Sequence, residues 1–441
     1  MRKARLTLTG WGRYTHAACH AARPERFAEA TAAFTAAPDI SLYGAGRSYG
    51  DSALNSGGTS LITTRLDRIL AFDPDTGIVQ VEPGIDFRRL LSVFLPRGWL
   101  APVTPGTGFA TIGGAVAHDV HGKNHEIDGS FGQHVTALDL LHPDGTTRTI
   151  TPADSDLFRA TVGGAGLTGF ITRVAFRLKR VPGGQVQVRD HRLRDLDHFL
   201  ATMQDHASAS YAVGWIDATA HGARLGRGIL ETAEPIASPA SQPPERAGAI
   251  PFDFPALALN RFSVAAFNEL YYRRVPAACR TRTAPWRQFL YPLDAIHGWN
   301  RIYGKRGFVQ FQCVVPFGTG PGALRALLEL ITASHGASFL AVLKRTGPGR
   351  AGFLSFPMPG YTLALDFPRG AGLAMLYARL CAITADAGGR VYLAKDTLLD
   401  PITFRRMYAD FPAFAAARAK LDPERRIRTD MATRLRLQDA A

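Results

Sequence analysis

Lysine is scarce in this sequence. Only seven of its 51 basic residues are lysines, so the formal net charge of +14 over 441 residues rests on arginine. No basic block exceeds three residues and no nucleic-acid-binding motif accompanies the charge, which excludes an ordinary RNA- or DNA-binding module. A solvated basic face or an anionic membrane contact remains. Cysteine is sparse too. Cys19, Cys279, Cys313 and Cys381 form no C-x-x-C pair, which excludes a disulfide scaffold and fits reduced, buried thiols. No apolar run reaches the length of a membrane-crossing helix, and "MRKARLTLTGWGRYTH" lacks the apolar stretch of a secretory signal. A cytoplasmic or peripheral protein is therefore expected.

Glycine is plentiful, with 44 residues, and the length suggests two to three domains. Over the first 180 residues short strands alternate with Gly-rich turns and a few helices. "GIVQVEPG" (77–84) alternates like a strand, "DFRRLLSVFLPRG" (86–98) follows a helical period, and 134–152 reads as a hairpin around Pro143-Asp144-Gly145. Residues 234–250 are rich in Pro, Ser and Ala and are expected to be a mobile loop. Beyond them "GFVQFQCVVP", "SFLAVLKRTG" and "YTLALDFP" read as strands separated by helices such as 322–336, an α+β pattern with helices on one side of a sheet.

The stretch "AHDVHGKNHEIDGSFGQH" (117–134) gathers His118, His121, His125 and His134. Zinc would need a completing ligand at recognisable spacing; none is found, so no metal site is expected. "GAGLTG" (164–169) fits G-x-G-x-x-G but follows a helix and precedes a strand, the reverse of a dinucleotide fingerprint. "GAGRSYG" (44–50) is a stronger signal. Its small residues expose successive backbone N–H groups as an anion nest, with Arg47 and Ser48 as further donors. "PGTGFATIGGAVAHDVHG" (105–122) and "TVGGAGLTG" (161–169) are two more Gly-rich segments. Three such loops without a Walker lysine suggest one extended ligand wrapped by backbone, and FAD is such a ligand.

On these segments, with "LTGWGR" (8–13), "PLDAIHGWNRIYG" (292–304), "LSFPMPGY" (354–361), "YLAKD" (392–396) and "DMATRLRL" (430–437), the chain resembles the vanillyl-alcohol-oxidase class of flavoproteins, with a PCMH-type FAD-binding domain, nearly end to end. Within the class it is most similar to the branch that oxidises the ribose C2 hydroxyl of polyprenylphosphoryl-β-D-ribose to a ketone, the first half of an epimerisation to the arabinose form. The resemblance implies a two-domain α+β fold: an FAD-binding domain of two small α/β subdomains (1–183), a substrate domain with an antiparallel sheet flanked by helices (184–389), and a C-terminal segment (390–441) returning to the first. It also implies a separate NAD(P)H-dependent keto-reductase as partner and a lipid-phosphate substrate at a bacterial inner membrane. "LALNRFSVAAFNELYYRR" (257–274) is the candidate membrane-facing stretch, with an ordinary buried helix as the alternative.

The resemblance assigns FAD contacts to Gly44, Ala45, Gly46, Arg47, Ser48 and Tyr49 in the first loop. In the second it assigns Pro105, Gly106, Thr107, Thr111, Gly113 and Gly114, followed by His118, His121, Gly122 and Asn124. Gly166, Gly169, Ile171 and Tyr392 complete the cofactor set. Many relatives carry a flavin-linked histidine where this chain has Arg47, so FAD is expected to be held non-covalently. A period of two puts Gln310 and Gln312 on one strand face, where glutamines in a core need partners. With Lys344, Thr362 and Ala364 they are expected to line the sugar pocket; Lys395, Lys123 and Tyr49 are the expected catalytic groups. Asp396, next to Lys395 on what reads as a strand, would point away from it. The branch carries a reactive cysteine at the position of Ala364 and an asparagine at that of Thr362, and a tyrosine expected near Leu290 is missing, although Tyr291 is adjacent. A soluble alditol or sugar-lactone oxidase using oxygen is the competing reading.

Overall fold

The computed structural model describes residues 2–244, 247–255, 259–277, 279–334, 336 and 339–438. Two small sheets make up the N-terminal part. The first orders the strands Arg2–Thr9, His16–Arg23, Thr59–Ile62 and Ile40–Tyr43, the first pair antiparallel and the others parallel. The helix Phe27–Ala36 covers it by burying Ala30 and Phe34. The second sheet is antiparallel, in the order Ile69–Phe72, Ile78–Val81, Phe170–Arg177, Val135–Leu141, Thr147–Ile150. Its helix Phe87–Phe94 buries Phe87, Leu90, Leu91 and Phe94, one apolar stripe at helical spacing. The Asp86 carboxylate caps that helix by accepting from the Arg89 N–H at 2.8 Å.

An eight-stranded sheet, antiparallel throughout, forms the rest. Its alternation decides what each face does. Val309, Phe311, Cys313, Val315, Leu363, Leu365 and Leu343 point into the main core with the helices Gly320–Ala333 and Leu373–Asp386. The intervening residues of the same strands carry Gln310, Gln312, Lys344, Thr362 and Ala364 to the opposite face. The architecture is the two-part α+β fold of the vanillyl-alcohol-oxidase class.

Three expectations need correction. Segment 234–250 is not structureless throughout: residues 234–236 finish the strand Gly228–Ile236, and Gly248–Ala249 pair with Ile296–His297. The Gln242 amide donates to the Gly184 carbonyl at 2.7 Å and accepts from the Arg287 N–H at 3.2 Å, side-chain anchors that composition cannot reveal. Residues 245 and 246 lie outside the described residues. Second, the strand through "RVYLAKD" stops at Val391; the Tyr392 carbonyl then accepts from the N–H groups of Lys395 and Asp396, making a turn. Third, Cys279 is exposed, unlike Cys19, Cys313 and Cys381; all four are free.

After the edge strand Arg390–Val391 the chain crosses back to the N-terminal sheets. Arg426 donates to the carbonyls of Thr35, Ala37 and Pro143, and Arg434 holds Asp51 at 2.8 Å and Asp396 at 2.9 Å.

Candidate active site

A cavity of about 620 Å³ lies between the Gly-rich loops and the open face of the large sheet. Its loop wall is mostly backbone. Gly46 adopts φ 64°, and a Cβ there would lie 2.2 Å from the Tyr43 hydroxyl, so only glycine suits this turn. The N–H groups of Ala45, Gly46, Arg47 and Ser48 donate to no acceptor among the described residues. At Gly106 and Gly166 a Cβ would meet nothing, because both face open space. Three buried polar atoms on this wall, Ser52 Oγ, Arg47 Nε and His121 Nδ1, lack a partner among the described residues. Free donors, glycine-lined space and unpaired polar atoms suit an extended polar ligand with a pyrophosphate, as in FAD. The Arg47 guanidinium packs 4.3 Å from the Trp11 ring and 4.6 Å from that of Phe109.

The sheet wall is made of side chains. Register sets Gln312 opposite Ala364, Lys344 opposite Thr362 and Gln310 opposite Asp366. The Gln312 amide donates to Thr362 Oγ1 at 3.2 Å and lies 3.0 Å from His121 Nε2, tying the sheet to the "HGKNH" segment. Gln310 donates to Asp366 at 2.6 Å. Both glutamines are buried and bonded, as their place in a core requires.

Between the walls stands Lys395. Its Nζ lies 3.7 Å above the Tyr49 ring, and the Tyr49 N–H donates to the Ala394 carbonyl at 3.0 Å, so the first loop and the lysine turn are one unit. Asp396 points away, accepting from Tyr377 at 3.0 Å and pairing with Arg434. Lys395 closes no ion pair among the described residues. Burial pulls its pKa down to about 7, Asp366 opposing the fall and Lys344 adding to it. Burial and then Lys123 lower Lys344 to about 8, and burial takes Lys123 to about 8. Asp366 is pushed up to about 7 by burial, against the hydrogen bonds of Gln310 and Tyr303 and the charge of Lys395. Burial takes His118 down to about 4 and His121 well below its ordinary value, so both imidazoles are neutral. A neutral-pH lysine beside a cavity can accept a proton from an alcohol.

Of the residues expected at the site, all but one line this cavity. Asn124 does not. Its amide donates to the Pro102 carbonyl at 2.7 Å and to Asp128 at 2.6 Å, fastening the loop from behind. Lys123 borders the cavity, but its Nζ donates to the Phe289 carbonyl and lies 4.3 Å from the Phe289 ring. His125 Nδ1 accepts from the Gly347 N–H at 3.0 Å and His134 Nε2 pairs with the Asp128 carbonyl at 2.7 Å, so the four histidines do not converge. Among the described residues no group of three His, Cys, Asp or Glu could hold a metal ion. Sequence reasoning missed Trp11, Ser52, Phe109, Tyr303 and Asp366. The alternation that singled out Gln310 also singles out Asp366, at even spacing with Thr362 and Ala364 in "YTLALDF".

Residues 20–151 match the family described as FAD binding domain, and residues 258–435 match the D-arabinono-1,4-lactone oxidase family. Decaprenylphosphoryl-β-D-ribose oxidase of Mycolicibacterium smegmatis is 38% identical over 408 residues, 89% of this chain and 88% of the relative. An uncharacterized protein in the mprA 5′ region of Streptomyces coelicolor is 34% identical over 80% of this chain and 100% of its own length. D-lactate dehydrogenase of Anaerostipes hadrus is 28% identical over 36% of this chain and 38% of its own. Glycine-lined loops fit for FAD, a lysine-bearing sheet wall and near-complete alignment point the same way: this chain is an FAD-dependent oxidoreductase of the vanillyl-alcohol-oxidase class and belongs to the family of decaprenylphosphoryl-β-D-ribose oxidase.

Proposed function

We propose that this enzyme oxidises the C2 hydroxyl of a polyprenylphosphoryl-β-D-ribose to the 2-keto sugar. The observation that carries the reading is Lys395, buried at the cavity over Tyr49 with no carboxylate in contact among the described residues, opposite the glycine loops. FAD, when bound, supplies the acceptor for the hydride leaving C2. Neutral Lys395 takes the hydroxyl proton at Nζ, and the Tyr49 ring face holds the ammonium that results. Gln312, Gln310, Lys344 and Thr362 orient the sugar, with Ala364 leaving room beside them. Lys123, fixed to Phe289, adds positive charge to the wall. Mixing oxygen-free protein with farnesylphosphoryl ribose should bleach the flavin absorbance; no bleaching would refute the reading. Arg47 stands stacked between two aromatic rings and cannot easily bond the flavin, so acid should release free FAD.

The ketone is half of an epimerisation, and an NAD(P)H-dependent keto-reductase would complete it. A lipid-phosphate substrate also suggests work at an anionic bilayer. In support, the helix Arg261–Arg273 exposes Phe262, Phe267 and Leu270, while nearby Phe252 and Ile296 are exposed as well. Tyr271, Arg274 and Ile296 line the cavity, so this apolar, arginine-bearing face adjoins its mouth. Residues 257 and 258 of the stretch lie outside the described residues. No helix of the described residues is long and apolar enough to cross a membrane. Sedimentation with anionic vesicles, weakened by salt, is expected; identical binding to neutral vesicles would remove the electrostatic part. The match of residues 258–435 to the lactone-oxidase family favours a second reading, oxidation of a free sugar or lactone by oxygen. Rapid peroxide formation from free sugars would select it.

A further inference from the structure

The helix Arg261–Arg273 carries one row of side chains out of the cavity. Phe267, Leu270, Tyr271 and Arg274 follow the spacing i, i+3, i+4, i+7 and so share a face. Arg274 prolongs the helix by donating its N–H to the Leu270 carbonyl at 3.1 Å. Phe267 and Leu270 are exposed, whereas Tyr271 and Arg274 line the cavity, so the row is apolar outside and cationic where it enters. The Arg274 guanidinium lies 3.8 Å from the Tyr271 ring, and its Nη2 donates to the Tyr271 hydroxyl at 2.8 Å and to Glu231 at 3.1 Å. Its Nε and Nη1 donate to no acceptor among the described residues, and the side chain is 35% exposed. Glu231 also accepts from Arg282 at 3.2 Å, and Asp190, opposite it in the sheet, pairs with Arg282 at 3.1 Å and Arg280 at 2.5 Å. Three guanidiniums thus share two carboxylates, and one positive charge is left over in a chain of ion pairs that ends at the cavity.

We infer that Arg274 binds the phosphate of a prenyl phosphate ester: its unengaged N–H groups donate to the phosphate oxygens, and the chain runs out along Tyr271, Leu270 and Phe267. This deepens the function proposed above and rests on it for the sugar. Register gives the span. Glu231 stands opposite Val213, and the next residue, Gly214, stands opposite Leu343, beside Lys344. Glu231 and Lys344 are therefore two strands apart, about 10 Å. A pentose and its phosphate fill that distance with a hydrogen bond at each end, the sugar against Lys344 and the phosphate against Arg274. Glu231, shared with Arg282, and the Tyr271 ring hold the guanidinium in place, and no bond forms or breaks at this subsite. A guanidinium is the side chain best suited to phosphate oxygens, and its bonds to an anion are the stronger, charge-assisted kind. A free sugar or lactone would leave both the surplus charge and the apolar row without a partner.

Calorimetric titration of the holoprotein with farnesyl phosphate, farnesol and inorganic phosphate tests the subsite without the sugar. Farnesyl phosphate should bind at least about tenfold more tightly than either fragment; equal affinity for farnesol or for inorganic phosphate overturns the proposal. Arg274→Gln should weaken farnesyl phosphate about tenfold or more and leave farnesol unchanged, as loss of a charged hydrogen bond does. In turnover of farnesylphosphoryl ribose the same variant should raise KM by a like factor, with kcat within about twofold. Unchanged affinity for farnesyl phosphate in Arg274→Gln overturns the assignment, and loss of anionic-vesicle sedimentation alone would give Arg274 to the bilayer surface instead. Leu270→Asp, at an exposed position that folding tolerates, should weaken farnesyl phosphate at least about threefold, and no change there overturns the path of the chain. Arg274-dependent binding of farnesyl phosphate without bleaching by farnesylphosphoryl ribose would refute the sugar and keep this subsite. Bleaching with an unchanged KM in Arg274→Gln would do the reverse.

Discussion

The cavity's two walls are made of different material, and they should break differently. On the loop side the contacts offered are backbone N–H groups exposed by missing side chains, as at Gly46, Gly106 and Gly166. On the sheet side the contacts are long polar side chains brought together by register across strands far apart in sequence. A substitution on the first wall changes space and therefore binding or folding. One on the second changes charge and hydrogen bonding, and therefore chemistry. Lys395 belongs to the second by function but is held by the first, through the bond from Tyr49 to Ala394.

The sharpest way to break this comparison is Lys395→Ala. It removes the base poised over the Tyr49 ring while leaving the glycine loops alone. Flavin reduction by substrate should fall on the order of 10³-fold with FAD still bound. Loss of FAD in this variant would mean that the lysine supports the cofactor wall. The next largest effect is expected at Gly50, where a Cβ would lie 1.8 Å from the Asp396 carbonyl oxygen and 2.7 Å from Thr397 Oγ1. Gly50→Ala should cost about 3 kcal/mol in urea unfolding, because the junction of the two walls must open. Gly106→Ala, whose methyl enters open space, should leave stability within about 0.5 kcal/mol yet weaken FAD retention. Equal behaviour of the two alanines would remove the distinction between packing and cradling glycines.

How much of this is legible in the sequence follows the same division. The glycine loops and the strand alternation of Gln310 and Gln312 can be read locally, since φ preferences and a period of two are local properties. Segments 8–13 and 292–304 carry a family likeness but no local pattern that says what Trp11 and Tyr303 do; only the fold brings Trp11 to the cavity and Tyr303 to Asp366. Asn124 went astray because proximity to His121 in sequence does not say which way a turn sends its side chain; the Pro102 carbonyl decided that. The turn at Tyr392 was hidden because its apolar pattern also suits a strand. Asp366 was visible as a polar residue on the right face, but its donors Gln310 and Tyr303 reach it only in three dimensions.

Gln312→Leu sharpens the comparison on the side-chain wall. It removes the partner of His121 Nε2, whose ring Nδ1 already lacks one, and frees Thr362 Oγ1. A buried imidazole without any partner costs about 2 kcal/mol, which should appear as a lower urea midpoint and a raised KM for the sugar. An unchanged KM would mean that this side chain only braces His121.

The smallest effect on turnover is expected at Ala364, which pairs with Gln312 and Val342 and faces the cavity. Ala364→Cys adds one sulfur to an open wall and removes no hydrogen bond, so substrate oxidation should stay within about twofold. The new thiol should be unusually reactive. Lys395 and Lys344 line the same cavity and favour the thiolate, the form that attacks electrophiles. Iodoacetamide should label position 364 near neutral pH faster than buried Cys19, Cys313 and Cys381, with exposed Cys279 as the internal reference. Bound substrate should slow that labelling while leaving Cys279 unaffected. Labelling at position 364 no faster than that of the buried thiols would mean that this face is closed to small molecules, and the side-chain wall would then end at Gln312.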